Sequence, residues 1–185
     1  MAIAPSATGT TAHTEALPPA IQQAYDAHAP SLFRVLRRLG VPDAQVEDAV
    51  QDTFVVACRR HAAFEARSSY KTWLYGIARR VARDYRRQRA RRYSEDPEIE
   101  GLSGGTNPET QTDAARAARL LDAGLGRLSE PLREVFVLAE IEQLTAPEIA
   151  EVVQVPLNTV YSRLRVARER LGAYLTEQRA TGGSV

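Results

Sequence analysis

Between Leu144 and Leu171 the sequence reads LTAPEIAEVVQVPLNTVYSRLRVARERL, two short apolar periodicities separated by a single proline. That pattern predicts two helices joined by a tight turn. Thr145 suits an N-cap, and Pro147 and Glu148 follow where a missing N–H and a negative charge both favour a helix start. Ile149, Val152 and Val153 form an apolar stripe, and Ala150 is small enough for a second helix to cross closely. Pro156 closes the connection, because proline disfavours helix at the residue before it. Asn158 then caps a helix whose inner positions are Val160, Leu164, Ala167 and Leu171. Its outer face carries Thr159, Ser162, Arg163, Arg165 and Arg168. Two crossed helices, the second showing hydroxyls and guanidinium groups to solvent, can place a helix in the DNA major groove. A helical hairpin with a solvated basic face fits the same residues, so the rest of the chain has to decide.

The formal net charge of +1 hides a strong segregation. From Arg79 to Arg92 there are eight arginines and one acid, Asp84. From Tyr93 to Asp113 there are six acids (Glu95, Asp96, Glu98, Glu100, Glu109, Asp113) and no basic residue. The two cancel in the sum but not in space. Of the 24 basic residues all but Lys71 are arginine, which suits bidentate phosphate and base contacts.

Cys58 is the only cysteine, which rules out an internal disulfide and makes a reducing compartment the default. It lies in an apolar helical stretch and reads as a small core residue. His13, His28 and His61 lack ligand spacing, so no metal is expected. The N-terminus does not read as a signal peptide, and no 18-residue apolar run predicts a membrane span. No nucleophile–base pair and no phosphate-binding loop is present. The expectations are a cytoplasmic protein, no cofactor and no catalysis by the chain itself.

In order, residues 1–17 read as a disordered tail. A helix starts near Pro18 or Pro19, shows Ile21, Tyr25, Leu32, Phe33, Leu36 and Leu39, breaks at Pro30, and stops at Gly40 and Pro42. Asp43 caps the next helix, with Val46, Val50, Phe54 and Ala57/Cys58 inside and Glu47, Asp48, Gln51 and Asp52 outside. A polar loop, Phe64 to Ser69, leads into a long helix from Tyr70, in which Trp73, Ile77, Val81 and Tyr85 recur every four residues. That spacing assigns Trp73 to the core, whereas the arginines at its end suit a phosphate grip. Residues 93–112 read as a linker, spanning about 25 Å as a flexible coil. Ala114–Leu128 is expected to be a helix with Ala117, Leu120, Leu121 and Leu125 inside, weakened by Gly124 and Gly126. Ser129-Glu-Pro131 starts another, carrying Leu132, Val135, Phe136 and Leu138. A polar tail, 179–185, ends the chain. No stretch alternates like a strand, so the fold class is all-α, two small helical domains joined by an acidic linker.

Four blocks in register carry a resemblance: VEDAVQDTF (46–54), SSYKTWLYGIARR (68–80), LSEPLREVF (128–136) and the helix-turn-helix. Over about residues 20–178 the chain resembles the extracytoplasmic-function (ECF) group of sigma-70-type sigma factors. The resemblance implies sigma region 2 over 18–92, a linker over 93–112 and sigma region 4 over 113–178. It implies core RNA polymerase as partner, with the β′ clamp taking region 2 through Asp48, Gln51, Asp52 and Phe54, and the β flap taking region 4. Promoter DNA and an anti-sigma factor complete the partners that the resemblance implies. The minus-ten element would be opened, and a flipped base captured, by Phe64, Ser68, Ser69, Trp73, Arg79, Arg80, Arg83, Arg86 and Arg87. The minus-35 element would be read by Thr159, Ser162, Arg163, Arg165 and Arg168.

The family pattern is not matched throughout. Gln154 and Asn158 stand where glycine is common, Tyr161 where lysine or arginine is usual, and Arg165-Val166 where an aromatic or histidine precedes arginine. Base contacts at Tyr161, Arg165 and Val166 therefore do not carry over from the family, so Arg165 stands among the minus-35 residues by its place on the outer face alone, and the resemblance predicts a minus-35 preference that is unusual in detail. Two other readings remain: a stand-alone operator-binding regulator, and a sigma mimic that titrates an anti-sigma factor. Neither explains all four blocks together with both sets of arginines.

Overall fold

A computed structural model describes residues 19–95 and 112–182; the expected N-terminal tail and most of the linker lie outside them. Every regular element among the described residues is helical. The first group comprises α1 (Pro19–Arg38), α2 (Val46–Arg60) and α3 (Tyr70–Glu95). The second comprises α4 (Asp113–Arg127), α5 (Glu130–Phe136), α6 (Ala146–Val153) and α7 (Leu157–Gly182).

The expected break in the first helix does not occur, and α1 runs through Pro30. An interior proline costs about 3 kcal/mol. Ile21 and Ala24 before it, and Leu32, Val35 and Leu36 after it, are all buried against one core. At about 1.5–3 kcal/mol per large apolar side chain, that burial outweighs the lost hydrogen bond. Gly40 ends the helix as expected: its φ is +92°, and Val41 N–H reaches the Leu36 carbonyl at 3.1 Å, a closure that needs left-handed backbone. Asp43 does not cap α2. Asp43–Gln45 form a 3-10 turn, and α2 starts at Val46. Tyr25 and Phe33, expected inside, are well exposed, whereas Val46, Val50 and Phe54 are buried.

In the second group the core is built as expected from Leu125, Leu132, Val135, Phe136, Leu138, Ile149, Val152, Val160, Leu164 and Leu171. Ala117 is exposed instead, and α4 packs on α7 in its second half. There Gly124 is buried, and a β-carbon on it would overlap Leu171 Cδ1 and lie 2.8 Å from Tyr174 Cδ1. That glycine is required by the crossing of α4 over α7. After Phe136 the helix widens into one π turn, Val137–Ile141, a feature without a sequence signature. The final helix starts at Leu157, one residue before the expected cap Asn158, and extends to Gly182, through most of the expected tail.

The two groups dock directly, mainly through α3 against α6. Buried residues of both belong to one continuous core cluster.

Candidate nucleic-acid interface

The helix-turn-helix forms as its residues dictate. Glu148 Oε2 accepts the Thr145 backbone N–H at 2.8 Å and the Thr145 hydroxyl at 2.7 Å, a capping box that ties down the start of α6. These bonds to the charged form hold the Glu148 carboxyl below its usual range. The turn passes through Gln154, whose φ of +57° and ψ of 50° are left-handed, the conformation for which glycine is the usual residue. Inside, Val160, Leu164, Ala167 and Leu171 are buried.

Outside, the first turns of α7 project Leu157, Asn158, Tyr161, Ser162 and Arg165. Tyr161 is 55% exposed and Leu157 39%, an apolar tip on a helix that the sequence presents as basic. Ser162 donates to the Thr159 carbonyl at 3.0 Å. Arg165 pairs with Glu169 at 2.6 Å and Arg168 with Glu140 at 2.6 Å, whereas the half-buried Arg163 has no partner among the described residues. Exposed pairs of this kind are worth at most about 1 kcal/mol and exchange readily for phosphate.

On the first group, Phe64, Tyr70 and Trp73 form an aromatic cluster with ring centroids 5.1–5.2 Å apart. Trp73 is half-buried, between the core position of its spacing and the open position of a base platform. Ser69 is occupied structurally, since its hydroxyl accepts the Thr72 N–H at 3.0 Å and shares a 2.8 Å bond with Thr72 Oγ1, capping α3. Ser68 is half-buried in the same loop, where Ala66 takes a left-handed φ of +53°. On α2, Asp48, Gln51 and Asp52 form an exposed polar stripe. Tyr85 donates to Asp52 at 2.8 Å; burial, then this hydrogen bond, raises the phenol to about 12. Phe54 is not on that stripe: it is buried, its ring 4.8 Å from Tyr25, because it lies on the inward side of the same helix.

The arginine tract of α3 divides into two faces. Arg80, Arg87, Arg89, Arg91 and Arg92 are exposed, with no partner among the described residues. A second stripe faces the other domain. Arg79 Nε donates to Glu134 Oε2 at 2.7 Å, Arg83 lies 3.6 Å from Glu130, and Arg86 pairs with Glu130 and donates to the Leu39 carbonyl. Nearer the start of the helix, Tyr75 donates to Glu142 Oε2, Lys71 to the Glu142 carbonyl at 3.0 Å, and Thr72 to Glu148 at 3.3 Å. Burial, then the hydrogen bond to Glu142, pushes the Tyr75 phenol well above its usual range. Burial likewise raises Glu134, against the opposing pull of Arg79. Glu134 and Glu142 are buried, and sequence reasoning misses both. The one signal that could have found them is the set of three acids, Glu134, Glu140 and Glu142, within an apolar run, LREVFVLAEIEQL. Tyr75, which the sequence places among aromatics beside a polar loop, is buried.

At one edge of the interface a cleft of about 1030 Å³ is lined by Arg37, Arg38, Arg86, Arg89, Arg119 and Arg133. Asp122 bridges it from α4 to Arg37 at 2.6 Å. Among the described residues there is no group of acids, histidines or cysteines that could hold a metal, and no helix is long and apolar enough to cross a membrane.

An arginine-lined helix in one helical domain and a helix-turn-helix in the next define a two-part nucleic-acid-facing protein. Family models bear this out: "Sigma-70 region 2" matches residues 24–92 and "Sigma-70, region 4" residues 118–171. The RNA polymerase sigma factor CnrH of Cupriavidus metallidurans is 34% identical over 157 residues, covering 80% of this chain and 82% of that protein. The ECF RNA polymerase sigma-E factor of Escherichia coli is 34% identical over 141 residues, covering 71% and 74%. Among solved structures, the sigma factor RpoE in complex with the anti-sigma factor NepR from Bartonella quintana superposes with a TM-score of 0.71 at 25% identity, covering 85% of this chain and 97% of that one. CnrH in complex with the cytosolic domain of CnrY gives 0.63 at 31% identity, covering 85% and 88%. The chain belongs to the ECF group of sigma-70-type RNA polymerase sigma factors.

Proposed function

We propose that this protein is an alternative sigma factor. It binds core RNA polymerase, directs it to a particular set of promoters and helps to open the minus-ten region. The observation that carries the reading is two separate DNA-facing elements on one chain, the arginine helix α3 and the helix-turn-helix α6–α7, in the order of regions 2 and 4. It works by differential binding: region 2 stabilises melted promoter over duplex, and the polymerase supplies the chemistry, so the chain is not an enzyme. It acts in the cytoplasm.

The exposed stripe Asp48, Gln51 and Asp52 docks on the β′ clamp, with Phe54 fixing the helix from beneath. Phe64, Ser68 and Trp73 surround the captured minus-ten base, whose extrusion costs a few kcal/mol. Arg80 and Arg87 hold the backbone already in this arrangement, whereas Arg79, Arg83 and Arg86 do so once freed from the second domain. Region 4 meets the β flap and presents Thr159, Ser162, Arg163, Arg165 and Arg168 to the minus-35 element. Leu157 and Tyr161 add apolar contacts at the groove, which supports an unusual preference there. Relatives solved with anti-sigma partners support control by a separate anti-sigma protein.

The test is transcription in vitro with purified core polymerase on fragmented genomic DNA, mapping starts with and without the protein. New starts that share two upstream elements are expected. Co-elution with core without new starts would instead indicate a sigma mimic. Neither starts nor association would leave an operator-binding regulator. A binding selection on the second domain that returned the commonest minus-35 motif of the family would overturn the specificity reading.

A further inference from the structure

The geometry points to a binding site for a small polyanion, the phosphate chain of a nucleoside di- or triphosphate, in the arginine-lined cleft between the two helical groups. The cleft lies at the far end of α3 from the aromatic cluster, and none of its lining residues belongs to α6 or α7.

Four helices build it. Arg86, Ala90 and Tyr93 fall at four- and three-residue steps, so one side of the last turns of α3 forms a wall, with Arg89 beside them. Ala115, Ala118 and Asp122, with Arg119, do the same on α4. Arg37 and Arg38 from the end of α1 and Arg133 of α5 complete the lining. The small side chains of Ala90, Ala115 and Ala118 leave the space open. At about 1030 Å³ it is large enough for a nucleotide, and the meeting of two domains is a usual place for a ligand.

The walls carry positive charge that the fold does not neutralise. Six arginines line the cleft against two carboxylates, Asp43 and Asp122. Arg89 and Arg119 have no partner among the described residues. Arg133 donates to the carbonyls of Leu125, Gly126 and Leu128 at 2.8–3.2 Å, neutral acceptors that leave its charge in place. It converges with Arg86 over Gly40, where a β-carbon would lie 2.8 Å from Arg133 Nη1 and 3.2 Å from Arg86 Cδ. Burial, and after it the charge of Arg86, lowers the Arg133 pKa, as a second cation held close must. Arg38 Nε is buried 3.7 Å from Asp122 Oδ1, and neither atom has a hydrogen-bond partner among the described residues, so this donor is open to a ligand oxygen. Guanidinium forks match phosphate oxygens, and two or three linked phosphates meet several forks at once. Tyr93 is 50% exposed on the α3 wall, seven residues or about 10 Å along the helix from Arg86. A bare ring beyond a row of cations suits a base next to its phosphates, because stacking gives affinity whatever the base.

The cleft exists only while α1 and α3 stand against α4 and α5, so occupancy stabilises that arrangement by mass action. The experiment titrates the polymerase-free, full-length protein into GTP that carries a fluorescent N-methylanthraniloyl group on its ribose, and follows anisotropy. Saturable binding is expected. Unlabelled GTP and tripolyphosphate should displace the probe, whereas GMP and inorganic phosphate, with one phosphate each, should do so about tenfold less well. Arg119→Gln, at an exposed position that folding tolerates, should weaken binding about tenfold, the loss of one charge-assisted contact. Arg116→Gln, one turn earlier on α4 and outside the cleft, makes the same charge change and should leave binding as it is.

Tyr93→Ala separates the two sources of a phosphate chain. It should weaken GTP about tenfold and leave tripolyphosphate unchanged; no change for GTP would overturn the nucleotide and leave free polyphosphate as the ligand. Thermal unfolding gives an independent readout: GTP should raise the Tm of the wild type and of Arg116→Gln, and much less that of Arg119→Gln. No saturable binding up to about 1 mM, or equal losses for Arg119→Gln and Arg116→Gln, would overturn the proposal. So would binding that emerges only after Glu98, Glu100 and Glu109 are changed to glutamine, because the cleft would then be taken by the chain's own acids. None of these measurements involves polymerase or promoter DNA, so their outcome is independent of that of transcription.

Discussion

Gly124 and Gly126 occupy the same helix two residues apart, and replacement by alanine should stabilise the protein at Gly126 but not at Gly124. In α4 both substitutions recover about 0.8–1 kcal/mol of helix propensity. At Gly126 a new β-carbon meets nothing within 4 Å, so Gly126→Ala keeps that gain. At Gly124 the β-carbon would overlap Leu171 Cδ1 and come within 2.8 and 3.1 Å of the Tyr174 ring. Leu171 is buried and the Tyr174 ring is held under the Arg127 guanidinium, 4.7 Å from the ring centroid, so neither side chain is free to swing away. Overpacking of this kind costs about 1–3 kcal/mol. Gly124→Ala should therefore range from neutral to about 2 kcal/mol destabilising after the propensity gain is subtracted. The two variants should differ by about 1–3 kcal/mol. For a domain of this size each kcal/mol shifts Tm by about 4–8 °C, so urea and thermal unfolding of the two proteins resolve the difference. Equal stability of the pair would refute the close crossing of α4 and α7.

Gln154→Gly should stabilise the second domain by about 0.5–1 kcal/mol, because the residue sits at φ +57°, where a β-carbon is penalised; an unchanged urea midpoint would count against that strain. Alanine at Arg80 and Arg87 should weaken DNA binding on all sequences alike and reduce the slope of log affinity against log salt by about 0.9 for each phosphate no longer neutralised. A changed sequence preference would show that these side chains read bases. Glu134 faces Arg79 and Arg86 of α3 and lies near Glu130 of its own helix, and burial raises its pKa. A raised folded-state pKa means that the docking of α5 on α3 is fully supported below the usual carboxyl value and loses that support as pH rises through the raised one. Energy transfer between labels on the two domains should fall over that window in the wild type and stay flat in Glu134→Gln. The same pH profile in both would remove Glu134 from the contact.

Much of this protein was determined by local sequence. The capping box at Thr145 and Glu148, the spacing of Val160, Leu164, Ala167 and Leu171, the stop at Gly40 and the division into basic helix and acidic connector all act within a turn or two of chain. Physical rules at that range are strong enough to place the helices and the helix-turn-helix. What the sequence could not supply is anything set by partners far along the chain. Local rules make Pro30 a helix breaker, but burial on both sides of it overrides one lost hydrogen bond. Gly124 reads as a helix weakness and is the contact point of two helices.

The interface carries the same lesson. Arg79, Arg83 and Arg86 read as part of one solvated arginine run, and Tyr75 as an open aromatic. Only the docking of α5 and α6 on α3 separates them from Arg80 and Arg87 and pairs them with Glu130, Glu134 and Glu142, which lie between 44 and 67 residues away. A local pattern fixes which side of a helix is charged. Which of those charges are neutralised depends on what packs there, and only the tertiary structure decides that.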